Sequence, residues 1–220
     1  MKNKAVRRDF IKQASLYAAS TFGLSMLSNA GWAVPPAGIA DNKNIIGPIE
    51  GYTPYIGTMA SMMTWMRTAI LSPVKNMTVE QLDYIHDKNA NSIGSMLLHL
   101  AATERFYQIH TFDDKKWGDW EEADKKRFGV AMELGEGGRK SIKGNSLAFY
   151  LDTLTEVREK TLSEFKKRDD AWLLKADEKW FWGPTNNYCK WFHVCEHESN
   201  HNGQIKWIKG RLPGTKAGND

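Results

Sequence analysis

Apolar side chains recur at three- and four-residue intervals in four separate stretches of this chain, the spacing that gives a helix one buried face. The alternation that marks a half-buried strand appears nowhere, apart from a weak hint at Trp180-Phe181-Trp182. The first stretch covers residues 55–71, with Ile56, Met59, Met63, Met66 and Ile70 in line and Pro73 to end it. Its methionines read as core filling, since thioethers pack helical interiors routinely. The second covers residues 92–110, with Asn91 or Ser92 as N-cap and Ile93, Met96, Leu97, Leu100 and Tyr107 as its apolar line. The third covers residues 146–167, from Leu147 through Tyr150, Leu151, Leu154, Val157 and Leu162 to Phe165. Its charges Glu156, Arg158, Glu159 and Lys160 read as a solvated face. The fourth covers residues 187–209 and stops at Gly210 and Pro213. Residues 113–145, rich in Trp, Gly and charge, predict irregular structure with one short helix. The expected architecture is all-α: an antiparallel four-helix bundle over residues 55–213, with a polar insert between helices two and three. An extended lead-in precedes it at residues 34–54, and a tail follows at residues 214–220.

The N-terminal segment is of another kind. Of 30 basic and 26 acidic residues, Lys2, Lys4, Arg7, Arg8 and Lys12 stand against Asp9 alone within residues 1–33. The remainder is therefore neutral, which excludes a nucleic-acid binder marked by bulk charge. A basic start, a mildly apolar run over residues 14–27 and small residues at Ala30 and Ala33 form the layout of a signal peptide. The pair Arg7-Arg8 before Asp9-Phe10-Ile11-Lys12 resembles the twin-arginine export motif, so the precursor's expected partner is that export machinery. The run is too short and polar to span a bilayer. The mature protein is expected to be periplasmic or secreted, with cleavage after Ala30 or Ala33. Cys189 and Cys195, six residues apart in one helix, would have Cα atoms about 9 Å apart, beyond disulfide reach. They read as buried thiols.

Six histidines are present, and His193, His197 and His201 share the fourth stretch at four-residue spacing. An i, i+4 histidine pair converges on one face and can hold one divalent ion. Residues 197–201 also spell H-E-x-x-H, the pattern in which zinc peptidases use the glutamate to activate water. No His, Glu or Cys follows His201 to supply the downstream third ligand of those enzymes, which argues against a peptidase. An upstream candidate is His99, an imidazole in the apolar run Met96-Leu97-Leu98-His99-Leu100-Ala101. In a bundle it can face the pair from another helix, or serve as a hydrogen-bonded core histidine. A rival ligand set is Cys189-His193-His197, although three residues along one helix splay too far for a tetrahedron. His193 otherwise reads as a core residue or one beside the ligands, and His86 and His110 as loop or surface residues. Glu198 is the candidate general base, with a helix-surface charge as the equal alternative. Glu104 stands one turn and a residue beyond His99 and is expected at or beside the site. Trp180, Phe181, Trp182 and Trp191 could wall a pocket or fill core.

The stretch from Ser92-Ile93-Gly94 through His99-Leu100-Ala101-Ala102-Thr103-Glu104 resembles the second helix of the DinB-like (DinB/YfiT) superfamily. The stretch from His193-Val194-Cys195-Glu196-His197-Glu198 to His201-Asn202-Gly203-Gln204 resembles that family's fourth-helix motif. The resemblance covers about residues 55–210 and implies a four-helix bundle holding a divalent metal (Zn, Ni, Fe or Mn) on His99, His197 and His201. It further implies metal-dependent transfer or isomerisation on a small molecule, with a small thiol as candidate cosubstrate. The exported setting, which counts against cytoplasmic thiols, keeps hydrolysis by metal-bound water as an expectation alongside. A non-catalytic metal- or ligand-binding module is the alternative. The polar insert and the exported setting depart from the family pattern. Pairing into a homodimer is left open.

Overall fold

The structure, a computed structural model, describes residues 44–215. The leader with its cleavage positions, most of the lead-in and residues 216–220 lie outside the described residues. Helix α1 (Pro54–Val74) begins on a proline, whose missing N–H costs nothing there. Pro73 sits inside its last turn and not beyond it, because the helix ends within two residues and loses little to the missing donor. Helix α2 (Val79–Asp83) opens on a reciprocal cap between Thr78 and Gln81. Helix α3 (Ile93–Thr111) is capped by Ser92, whose Oγ accepts from the Ser95 N–H at 3.1 Å. Helices α4 (Glu122–Glu133) and α5 (Gly135–Ser141) follow, then α6 (Leu147–Phe165) and α7 (Asp170–Leu174). Strands β1 (Ala176–Asp177) and β2 (Thr185–Asn186) form a short antiparallel pair, Ala176 opposite Asn186. Trp180-Phe181-Trp182 lies in the connection between them and is not itself a strand. Helix α8 (Asn187–Lys209) closes the order, capped by Asn186.

Side-chain contacts fix the helix directions. Arg67 on α1 donates to the Leu154 carbonyl on α6, and Arg158 on α6 donates to the Met63 carbonyl on α1, so these two helices are antiparallel. On α3 and α6, Gly94 meets Tyr150 while Gln108 meets Val157 and Thr161, so these run parallel. Tyr107 meets His193 and His99 meets His197, which makes α3 and α8 antiparallel. The bundle is two parallel pairs, α1 with α8 and α3 with α6, set antiparallel to each other.

This explains the insert. A chain leaving the end of α3 must travel back its whole length, about 28 Å at 1.5 Å per residue, before starting α6. The expected irregular stretch instead carries α4 and α5 on that return path. Phe128 and Ala131, three apart and each 1% exposed, seat α4 on the core. Covered this way, α3 is buried on every side except at Arg105. Its approach to α6 is close: a Cβ on Gly94 would stand 2.6 Å from the Tyr150 hydroxyl.

The core divides along the bundle axis. One end gathers Ile70, Ile93, Leu97, Leu154 and Ile205, and the other Met59, Met63, Phe165 and Trp191.

Candidate metal centre

Helices α3 and α8 cross where His99, His197 and His201 meet. Each offers a ring nitrogen, and these atoms lie within 4.8 Å of one another. The rings sit 4.6 to 5.0 Å apart, centroid to centroid. The four-residue spacing on α8 stacks two imidazoles on one face, and the antiparallel α3 delivers the third. Among the described residues this is the one such gathering of His, Cys, Asp or Glu. The rival set Cys189-His193-His197 does not converge.

The insert orients His99. Its Nδ1 lies 2.9 Å from the Ala131 carbonyl oxygen on α4, which can only accept, so Nδ1 carries the hydrogen. The Nε2 lone pair then faces His197 Nε2 at 2.8 Å. A carbonyl partner of this kind is how a ligating imidazole has its tautomer fixed. Burial lowers the pKa of all three rings. His197 is pushed to about 3 by burial and then by His201, His99 and His193. His201 falls to about 4 by burial and His99, with the Gln204 side chain opposing. His99 is lowered by burial, partly offset by the Ala131 carbonyl.

Three neutral imidazoles fit a divalent ion. Two nitrogens bound at about 2.05 Å with tetrahedral angles stand about 3.3 Å apart, within the spread of nitrogens found here. The Nδ1 of His201 is buried with no hydrogen-bond partner among the described residues, an orphaned polar atom beside the cluster.

Glu198 points elsewhere. It is 1% exposed, and its Oε1 accepts from Arg67 at 2.5 and 3.0 Å and from Arg158 at 2.9 Å. Its Oε2 is buried without a partner, and neither oxygen bonds a histidine of the trio. The expected base or surface charge is thus one corner of a buried ion lattice. Glu104, expected near the site, is the opposite corner, 0% exposed, accepting from Arg67 at 2.7 Å, Arg158 at 2.8 Å and Thr161 at 2.6 Å. Burial alone would raise the Glu104 pKa, but the guanidiniums of Arg158 and Arg67 hold it down. Each of the four long helices contributes one member, and the charges cancel. Arg158, read from sequence as solvated, is 6% exposed.

Other expectations shift. Cys189 is exposed and Cys195 half-buried, both free, so neither is a fully buried thiol. Burial pushes the Cys195 thiol up to about 11. His86 lies exposed in a loop, but His110 is 5% exposed in the last turn of α3, where its Nδ1 meets the Lys115 carbonyl. The aromatic group divides: Trp180 and Trp191 are core, whereas Phe181 and Trp182 are 56% and 44% exposed. Trp182 lies against His193 at 5.1 Å, and His193 lies against His197 at 5.6 Å.

A family model of the DinB superfamily matches residues 62–205. Two crystal structures share the fold. One is an uncharacterised protein of Clostridium difficile 630, at 13% identity and a TM-score of 0.56. The other is a conserved protein of Enterococcus faecalis, at 14% identity and a TM-score of 0.51. Each alignment covers 71% of this chain and 96% of the other. No curated protein matches. With the all-α bundle and the family match spanning most of its length, the chain belongs to the DinB superfamily.

Proposed function

We propose that this is an exported metalloprotein in which His99, His197 and His201 hold one divalent ion, zinc, nickel, iron or manganese, and act on a small molecule by transfer or hydrolysis. The observation that carries the reading is the donor set: three convergent imidazoles, with no fourth His, Cys, Asp or Glu donor converging with them among the described residues. A structural zinc site is normally closed by four protein ligands, whereas three leave a position for water or substrate. The ion, when bound, would lower the pKa of a water or thiol at that position. A thiol there would come from a cosubstrate, since Cys195 is held protonated by burial and Cys189 stands two turns before His197. The residues of the chain keep the three rings neutral and fix the His99 tautomer through Ala131, while Trp182 packs against the neighbouring His193.

Metal analysis of the mature, untagged protein tests this. One equivalent of metal per chain is expected, lost in His99→Ala, His197→Ala or His201→Ala and kept in His193→Ala. Cobalt substitution followed by a small thiol should shift the visible spectrum as the thiol enters the shell. A fourth protein ligand with no exchange would defeat the catalytic reading and favour a non-catalytic binding module.

A further inference from the structure

His193 sits one helical turn before His197 yet takes no part in the trio. Its Nδ1 lies 2.9 Å from the hydroxyl of Tyr107, which is 2% exposed. Two arrangements could satisfy that contact. If His193 donated, the phenol hydrogen would be left buried without an acceptor, a costly state. If the phenol donates, both atoms are satisfied and the remaining imidazole hydrogen falls on Nε2. Burial raises the Tyr107 pKa, which keeps the phenol protonated. The Nε2 atom has no partner among the described residues and is not among the enclosed polar atoms, so it opens toward solvent. His193 is therefore the mirror of His99. There a carbonyl puts the hydrogen on Nδ1 and bares Nε2; here a phenol puts the hydrogen on Nε2.

The surroundings of the His193 ring are aromatic. Trp182 packs at 5.1 Å from His193, with Phe181 next to it at 5.1 Å and Trp117 beyond at 4.3 Å. All three are at least 40% exposed, which makes a continuous open aromatic surface one ring away from the trio. Exposed apolar surface of this kind beside a polar site marks a place for a ligand.

We propose that His193 is a substrate-binding residue: its Nε2–H donates to an oxygen of a carbonyl or carboxylate compound held at the three-histidine centre, while Trp182 receives that compound's aromatic or apolar part. The inference rests on the metal-centre reading above for the position of the substrate's head, but the tautomer does not. The chemistry selects an aryl or alkyl acid, ester or ketone over a fully polar solute.

Benzoate and acetate serve as probes, with the metal content of every sample measured first. In nitrogen-15 spectra of histidine-labelled protein, His193 is expected as the Nε2–H tautomer, drifting toward a mixture in Tyr107→Phe. Calorimetry should show benzoate binding more tightly than acetate. His193→Phe should weaken benzoate about tenfold at unchanged metal content. Trp182→Ala should erase the preference for benzoate over acetate. An Nδ1–H tautomer in the wild type, or undiminished benzoate affinity in His193→Phe, overturns the proposal. Absence of metal together with the expected tautomer and the expected benzoate loss would sink the metal-centre reading alone and uphold the role of His193.

Discussion

Three histidines with depressed pKa values make the centre sensitive to acid in a definite direction. Unfolded histidine titrates near 6.5, whereas His201 and His197 in the fold do so at about 4 and about 3. Between those limits the unfolded chain takes up protons that the folded chain refuses, so stability is present above pH 6.5 and falls as the pH drops toward 3. Urea denaturation of metal-free protein should give a lower midpoint at pH 5 than at pH 7.5. A His197→Phe/His201→Phe variant should flatten that difference, and an unchanged difference would assign it to other groups. Metal affinity follows the same sign, since protons compete for the same lone pairs. The ion lattice makes a second prediction at this scale. Arg158→Leu leaves Glu104 short of a partner in a dry setting, a change that costs about 3–5 kcal/mol. The double variant Arg158→Leu/Glu104→Leu should recover much of that loss, because Arg67 and Glu198 remain paired. Equal losses in single and double variants would remove the lattice as the cause.

At the scale of elements, the four long helices were legible because each carries its own apolar line and most carry a capping residue. The trio was legible because the four-residue step on α8 is local, and because an imidazole within the apolar run around His99 stands out. The lattice was not read, although it left a trace. Arg67 lies between Met63 and Ile70 on the apolar face of α1, and Arg158 lies four residues from both Leu154 and Leu162. A charge on an apolar line is core-facing, but only the partner helices reveal what neutralises it. The helices of the insert escaped because Phe128 and Ala131 give α4 only a narrow apolar edge. Their role was hidden because the parallel run of α3 and α6 is a property of the assembled bundle. Two outcomes follow. Replacing residues 122–133 with a flexible linker of equal length removes the carbonyl that holds His99, and metal affinity should fall about 10–100-fold. Gly94→Ala forces Tyr150 off α3 and should cost about 1–3 kcal/mol in thermal or urea denaturation, with metal stoichiometry kept.

For the whole molecule, the charge asymmetry of the sequence sets residues 1–33 apart from a neutral remainder. Replacing Arg7 and Arg8 by lysine is expected to hold the precursor in the cytoplasm, read by fractionation and by the size of the retained chain. Undiminished export would remove the twin-arginine route from the proposal. The lattice of Arg67, Glu104, Arg158 and Glu198 has a consequence at this scale too. It draws one charge from each long helix, so a three-helix assembly strands a charge in an apolar interior. Such an assembly thereby carries a charge penalty that the finished bundle does not. This charge balance favours two-state unfolding, which is expected to show as coincident transitions by far- and near-ultraviolet circular dichroism. If the proposed twin-arginine export holds, the chain would reach that route either complete or recognisably undone.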